Sequence, residues 1–242
     1  MKTFIMKRII VLISAMLLVA IAIGGCQLPI TAINNSMLAL SADSGSGTLA
    51  DPYIIQNKTF NMAGKNANAG IHLRNTTAYV IIRNITVLNG TQAMNNKNIY
   101  DSANDLGIML ENVTHATIEN CHFENNNMGM WLEGCQNVSA IDNTVVNNRY
   151  RGIYLMDSRD CNIEGNTVDS DNPDYWVDIL LNTNSKKPES VCKFNQVLDN
   201  ETQTIHLMGN ENTYMNTIGG NTWEGGPSTY SQDPGVGVNI HY

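Results

Sequence analysis

The chain has 242 residues, with 22 acidic against 14 basic side chains and a formal net charge of −8 at pH 7. It contains no long run of Lys and Arg that could contact phosphate groups, so the composition argues against a nucleic-acid-binding protein. An anionic polysaccharide would need a local positive patch or bound cations against the same negative field.

The N-terminus predicts export. Three basic residues precede an uncharged, mainly apolar run from Ile9 to Ile23, and two glycines and Cys26 follow that run. The run is shorter than the roughly 20 residues of a membrane-spanning helix, and small residues after it are typical of a cleavage site. We therefore expect residues 1–25 to be a signal peptide and the remaining chain to be extracytoplasmic: at the cell surface, in a periplasm or secreted.

Cys26 is a candidate for lipid attachment. The segment Ile23-Gly24-Gly25-Cys26 resembles a bacterial lipobox, in which the cysteine becomes the acylated first residue of the mature protein. Ordinary cleavage nearby, with Cys26 playing no part, is the alternative. The resemblance predicts contact with a membrane only through this anchor.

About 215 residues then remain, which is ample for one domain with a sizeable core. We expect residues 26–44 to be a linker and residues 45–242 to form that domain.

An internal repeat dominates this domain. Four segments open with glycine, an apolar residue, a variable residue and leucine, and two weaker copies follow: Gly70–Leu73, Gly107–Leu110, Gly129–Leu132, Gly152–Leu155, then Asp178–Leu181 and Thr204–Leu207. The spacings of 22 and 23 residues between the second, third and fourth copies leave no room for a helix between strands. Each repeat is therefore predicted to be one coil of short strands around an apolar interior, stacked on the next coil.

An asparagine recurs downstream of each opening. Asparagine tolerates unusual backbone angles at tight corners and can bond to the neighbouring coil, which predicts one structural column of stacked corners. Its expected members are Asn84, Asn120, Asn143, Asn166, Asn195 and Asn216.

The order of glycine-apolar-x-leucine, then apolar-x-asparagine, resembles the repeat of pectate-lyase-like proteins. This resemblance implies an all-β fold, a single-stranded right-handed parallel β-helix (a solenoid) of about seven coils. Gly45–Thr48 followed by Asp51–Ile55 also resembles the first coil of the periplasmic copper-maturation proteins of nitrous oxide reductase. The catalytic motifs of polygalacturonases and pectate lyases are absent, so no catalytic residue is carried over.

Aromatic residues mark the outward face of the repeat. The third position of each opening faces outward and includes Met109, Trp131 and Tyr154, between insertions at residues 91–106 and 169–177. Flat apolar rings with polar edges suit stacking against sugars, so we expect these three residues to bind carbohydrate. Alternatively, a loop folds back and covers them.

Two sets of carboxylates are weaker candidates for chemistry. Glu111 and Glu133 lie on adjacent coils and would suit the carboxylate pair of a glycoside hydrolase. A polysaccharide lyase would instead use Ca²⁺, for which acidic ligands are available. The candidates for that site are Asp169, Asp171, Asp174 and Asp178.

Sulfur-containing residues allow two further interpretations. Outward methionines and histidines could hold Cu(I); they are His72, Met109, Met156, His206 and Met208. Four later cysteines form either two disulfides or four small buried side chains; they are Cys121, Cys135, Cys161 and Cys192.

The function that we expect is an exported β-helix protein that interacts with a polysaccharide or surface glycan, with no complete catalytic set. A structural or adhesive surface module, a polysaccharide lyase or glycoside hydrolase, and a periplasmic copper-handling protein are the alternatives.

Overall fold

Short parallel strands make up most of the protein. The computed structural model describes residues 27–65, 67–90, 105–170, 177–184, 191–208, 213–223, 226–232 and 236–241. The expected signal peptide, Cys26, and most of the two insertions lie outside these residues.

The strands are numbered in chain order. The first twelve are β1 (Ile30–Ala32), β2 (Tyr53–Asn61), β3 (Ala69–Thr76), β4 (Val80–Leu88), β5 (Leu106–Glu119), β6 (His122–Glu124), β7 (Met128–Glu133), β8 (Gln136–Ile141), β9 (Thr144–Asn148), β10 (Arg151–Met156), β11 (Asn162–Glu164) and β12 (Thr167–Ser170). The others are β13 (Ile179–Asn182), β14 (Cys192–Lys193), β15 (Gln196–Leu198), β16 (Glu201–Thr202), β17 (Thr204–Met208), β18 (Thr213–Tyr214), β19 (Asn216–Gly219), β20 (Thr222–Trp223), β21 (Gly226–Pro227), β22 (Thr229–Gln232) and β23 (Val238–His241). One helix, α1 (Asn35–Ser41), lies in the described residues.

The strands stack on three faces of a coil. Face one contains the repeat openings and stacks β1, β3, β5, β7, β10, β13, β17 and β22 in parallel. Face two stacks β2, β4, the end of β5, β8, β11, β15, β19 and β23. Face three stacks the ends of β2 and β4 with β6, β9, β12, β16 and β20. The prediction of an all-β parallel β-helix is therefore confirmed, and eight described strands on face one agree with about seven coils.

One continuous apolar core runs through the coil. The alternation along face one sends the second and fourth residues of each opening inward. Their exposure is 0% for Ile108, Leu110, Met130, Leu132, Ile153 and Leu155. These side chains belong to a single hydrophobic cluster with the inward residues of the other two faces.

The corner between faces two and three requires a left-handed backbone. Asn84, Asn120, Asp142 and Asp199 occupy equivalent positions there, and their φ angles lie between 51° and 52°. Gly165 takes the same place at φ 65°, where a Cβ would lie only 2.4 Å from Oδ1 of Asp142. Asparagine, aspartate and glycine tolerate this conformation best, which explains their recurrence.

The residue after this corner points inward and forms an amide ladder. Nδ2 of Asn143, Asn166 and Asn200 each donates to Oδ1 of the next asparagine in the order Asn143, Asn166, Asn200, Asn221. Each carboxamide also accepts from a backbone N–H of the preceding coil.

The single asparagine column predicted from sequence is wrong. Asn84 and Asn120 occupy the left-handed corner, whereas Asn143 and Asn166 occupy the buried ladder one residue later. Asn195 and Asn216 form a separate ladder at the corner between faces one and two. The shift of one residue moves a side chain from the exterior to the interior, because successive side chains point to opposite sides.

Residues 27–44 form the first end of the coil, so the expected linker at residues 26–44 is wrong for this part of the chain. β1 pairs in parallel with β3, and Leu38 of α1 is fully buried in the core cluster. Oδ1 of Asn34 accepts a hydrogen bond from the amide of Met37 and so caps the helix. The helix therefore closes the apolar interior at the N-terminal end.

Candidate functional site

The outward third position of face one is less exposed than its sequence pattern predicts. His72, Met109, Trp131, Tyr154, Leu180 and His206 lie side by side on successive strands. However, only 4% of Met109 and 1% of Leu180 are exposed. Met109 packs with Leu106, Met128 and Tyr150 into a second apolar cluster, separate from the core.

Trp131 and Tyr154 are adjacent, as predicted for a pair of aromatic side chains on neighbouring coils. They are paired in the register of β7 and β10, and their ring centroids lie 5.5 Å apart at an interplanar angle of 46°. Both rings are partly buried and pack against the second apolar cluster. The two rings therefore form the wall of a concave surface and not a flat shelf.

A groove of about 120 Å³ opens beside these rings, and we call it the face-one groove. Three columns of residues from neighbouring strands line it. Its lining residues are Met128, Trp131, Arg151, Tyr154, Met156, Leu180, Asn182 and Met208. An apolar floor with a few polar groups is the usual composition of a small-molecule site.

Polar contacts hold the Tyr154 hydroxyl in the groove wall. Nδ2 of Asn182 donates to the Tyr154 hydroxyl at 2.9 Å, and the hydroxyl lies 3.3 Å from the sulfur of Met156. The guanidinium carbon of Arg151 lies 5.6 Å from the Tyr154 ring centroid. Burial raises the pKa of Tyr154 above its usual value, so its hydroxyl stays protonated at neutral pH.

Trp131 carries a buried donor that no described residue satisfies. Its indole Nε1 is buried and has no hydrogen-bond partner. Leaving such a group unsatisfied costs about 1–3 kcal/mol, so buried donors normally find an acceptor. Because this nitrogen is buried, an acceptor on a ligand reaches it only when the Trp131 ring turns or its neighbours move.

The two glutamates proposed as a catalytic pair lie next to each other but outside the groove lining. Glu111 and Glu133 are register neighbours on β5 and β7. Oε2 of Glu111 lies 2.5 Å from Nε2 of His72 and 3.7 Å from Nε of Arg74. Glu111 is therefore already held by neighbouring basic side chains of β3.

The acidic residues proposed as Ca²⁺ ligands do not form a metal site in the described part of the chain. Oδ1 of Asp178 accepts from the amide of Ser170, and Oδ2 accepts from the amides of Gln203 and Thr204. Asp178 is 4% exposed, and its carboxylate serves to join neighbouring coils. Asp171 and Asp174 lie outside the described residues, and the described part contains no group of three His, Cys, Asp or Glu suited to a metal.

The methionines and histidines proposed for copper are divided between two environments. Met156 and Met208 line the face-one groove, together with Met128, which the sequence reasoning missed. His72 contacts Glu111, and Nδ1 of His206 lies 2.6 Å from the Ser231 hydroxyl. The histidines therefore do not join the thioethers at the groove.

The four later cysteines are buried free thiols and not disulfides. Burial raises the pKa of Cys121, Cys161 and Cys192 to about 12, and it also raises the pKa of Cys135. Cys121 and Cys135 donate weak hydrogen bonds to backbone carbonyls. The structure therefore agrees with the second interpretation of these cysteines, in which they are small buried side chains.

Four groove residues were absent from the sequence-based site: Met128, Arg151, Leu180 and Asn182. The alternation of the strands was sufficient for Leu180 and Asn182, which stand at the outward third and fifth positions of their opening. Side chains two residues apart lie on the same side of a strand. Met128 and Arg151 instead stand three residues before the third position, so strict alternation would place them on the inward side of their strands.

No helix in the described residues is long and apolar enough to span a membrane.

Comparison with known proteins identifies the family. Residues 30–172 and 85–242 match the family model described as a right-handed beta helix region. A comparison with curated proteins found no match. A solved structure of ORF18 of Geobacillus virus E2 is similar, with 10% identity and a TM-score of 0.39, over 85% of this chain and 57% of that one. The chain thus spans little more than half of that protein. Because the family model covers nearly all of the described coil, the protein belongs to the right-handed β-helix family.

Proposed function

We propose that the protein is an exported β-helix that binds carbohydrate in the face-one groove without cleaving it. The observation that carries this proposal is the Trp131 ring, which lines an apolar groove beside Tyr154 and whose buried indole Nε1 has no described partner. A sugar has both features that such a site needs, because its C–H face packs on aromatic rings and its hydroxyls accept hydrogen bonds.

The polar lining suits a hydroxylated ligand. The groove that the Trp131 ring lines is also lined by three residues with polar side chains, Asn182, Tyr154 and Arg151. A groove of about 120 Å³ is smaller than typical drug-sized pockets, so it would hold one sugar ring of a chain and leave its neighbours outside. Binding of a terminal or branching sugar residue is therefore favoured over burial of several consecutive rings.

The test begins with a glycan array and continues with calorimetry on the glycans that bind. Trp131→Phe keeps an aromatic ring but removes the indole N–H, and it should weaken binding about 2- to 12-fold, the equivalent of one hydrogen bond. Trp223→Phe is the matched control, because Trp223 lies on β20 of face three. Trp131→Phe with unchanged affinity, or an array with no bound glycan, contradicts the proposal.

An activity assay separates the binder from an enzyme. Pectin, alginate and β-glucans incubated with the protein should release neither reducing ends nor unsaturated products. Release that Glu111→Gln or Glu133→Gln abolishes would establish a glycosidase and overturn the binding-only proposal.

A second candidate function rests on the thioethers of Met128, Met156 and Met208, which all line the groove. Soft thioether ligands select Cu(I), so this candidate is a copper-handling protein. Anaerobic titration with Cu(I) tests it: Met208→Leu should abolish saturable binding, whereas Met215→Leu, at an exposed corner, should not. No saturable binding of Cu(I) to the unaltered protein would eliminate this candidate.

A further inference from the structure

Exposed apolar side chains are concentrated at the N-terminal end of the coil. Seven large hydrophobic residues are exposed in the described part of the chain, and five of them fall within residues 27–49. They are Leu28 at 77%, Ile33 at 49%, Met37 at 36%, Leu40 at 87% and Leu49 at 73%. The remaining two, Phe194 and Met215, lie on neighbouring coils far along the solenoid.

Helix α1 carries large apolar side chains on both of its sides. Leu38 is fully buried and closes the core, whereas Met37 and Leu40 lie three residues apart and share an outer side. A cap helix that faces only water would normally carry polar residues on that side. The outer side of α1 is therefore suited to contact with an apolar medium.

The same segment has no charge. Residues 27–42 contain no Asp, Glu, Lys, Arg or His, although the whole chain has a formal net charge of −8. An acidic protein is repelled by anionic lipids, and an uncharged region is the part of such a protein that approaches them at least cost. The charge distribution therefore favours a lipid surface as the partner of this end of the coil.

The position of the cap in the chain also favours lipid over a second copy. The mainly apolar run Ile9–Ile23 and Cys26 come directly before the first described residue, Gln27. Because Ile9–Ile23 belongs to the expected signal peptide, the tether of the mature chain would be at Cys26, and it would hold the cap within a few residues of the bilayer, at a high effective concentration. A second copy would have to be recruited from solution.

We propose that the N-terminal cap of the coil, through Leu28, Ile33, Met37 and Leu40, rests on the surface of a lipid bilayer, with the solenoid projecting away from it. This contact is interfacial: the cap side chains enter the headgroup and upper acyl region, while the coil stays in water. The face-one groove, on the side of the coil, remains open to ligands. The proposal does not depend on what binds in that groove.

Photo-crosslinking tests the contact directly. The full-length chain carries benzoylphenylalanine in place of Leu40, or in place of Phe194 as an equally apolar control site, and is reconstituted with vesicles of phosphatidylethanolamine and phosphatidylglycerol. Mass spectrometry then measures lipid adducts at each site. We expect about tenfold more lipid adduct at position 40 than at position 194, because only the cap would reach the acyl region.

A matched substitution links the adduct to the apolar side of the cap. Met37→Gln should reduce the lipid adduct at position 40 several-fold, whereas Met215→Gln should leave it unchanged. Equal adducts at positions 40 and 194, or no lipid adduct at position 40, would overturn the proposal. Crosslinking of position 40 to a second copy of the chain would also overturn it and would assign this end of the coil to a dimer interface.

Discussion

Asn143 and Asn166 form one step of a buried amide ladder, in which Nδ2 of Asn143 donates to Oδ1 of Asn166 at 2.9 Å. Oδ1 of Asn166 also accepts from the backbone amide of Asn143 at 3.0 Å. One carboxamide therefore satisfies both the main chain and the side chain of the coil beside it. Because each step repeats this geometry, the ladder fixes the register between coils where no strand pairing does so.

The ladder predicts that Asn166→Ala will be strongly destabilising. The substitution leaves the Asn143 amide and the Ala140 carbonyl without their partner inside the protein. At about 1–3 kcal/mol for each buried group, the free energy of unfolding should fall by roughly 3 kcal/mol. Urea denaturation measures the change.

Asn120→Gly is the control for the ladder. Asn120 is exposed at φ 52°, a conformation that glycine adopts freely, so its replacement should change the free energy of unfolding by less than about 0.5 kcal/mol. Equal effects of Asn166→Ala and Asn120→Gly would mean that the ladder adds no stability beyond the corner itself.

The fold could be predicted from the repeat because the repeat determines which side chains of each strand point inward. The alternation in Ile108-Met109-Leu110 placed two side chains inside, and the register of β5 on β3 and β7 follows from it. The corners were harder, because Asn120 and Asn143 have similar surroundings in the sequence but differ by one residue in phase. That phase depends on the left-handed residue of each corner, which Asn, Asp and Gly share.

The groove was predicted only in part, for a different reason. Trp131 and Tyr154 were found because large aromatic residues at outward positions are conspicuous. Met128 was not, because strict alternation counts it with the inward residues although it packs outside the core. The near-complete burial of Met109 likewise depends on side-chain packing that periodicity does not describe.

The buried thiols predict that the protein loses stability in alkaline solution. Burial raises the pKa of the Cys161 thiol from 9.0 to about 12, so the thiol stays neutral in the folded protein while the unfolded chain ionises. Its contribution to stability is therefore complete below pH 9 and decreases as the pH rises from 9 towards 12. At pH 10 the loss should be roughly 1 kcal/mol relative to pH 8.

Cys161→Ala isolates this effect from the titration of other groups. The difference in unfolding free energy between the unaltered protein and Cys161→Ala should shrink by roughly 1 kcal/mol between pH 8 and pH 10. Ile163→Val removes a core methyl group from the same coil and does not remove a titrating group. It should therefore lower the unfolding free energy by the same amount at both pH values. A constant difference for Cys161→Ala would show that this thiol titrates normally in the folded state.

The carboxylate of Asp178 predicts a structural defect that calcium does not repair. Asp178→Asn places an amide donor against the N–H groups of Ser170 or of Gln203 and Thr204. We expect a loss of about 2–4 kcal/mol, since hydrogen bonds to charged groups contribute about 1.5–3 kcal/mol each. Denaturation in excess Ca²⁺ and in EDTA should give the same loss.

Asp160→Asn is the control for Asp178, because Asp160 is exposed at a left-handed corner that asparagine also tolerates. Its stability should be close to that of the unaltered protein. Two outcomes would instead indicate that Asp178 is a Ca²⁺ ligand. In the first, Ca²⁺ restores the stability that Asp178→Asn loses. In the second, Ca²⁺ stabilises the protein only when Asp178 is present.

The hydrogen bond between Asn182 and Tyr154 predicts coupled effects on ligand affinity. Nδ2 of Asn182 donates to the Tyr154 hydroxyl, so we expect Asn182 to act on the ligand by positioning the ring of Tyr154. Asn182→Ala and Tyr154→Phe should each weaken glycan binding about 3- to 10-fold. If the amide acts only through the hydroxyl, Asn182→Ala should have almost no further effect in the Tyr154→Phe background, because the interaction it removes is already lost. Calorimetry on the four proteins of this double-mutant cycle would then give a coupling energy of about 1 kcal/mol. Strictly additive losses would instead indicate that Asn182 and Tyr154 contact the ligand independently.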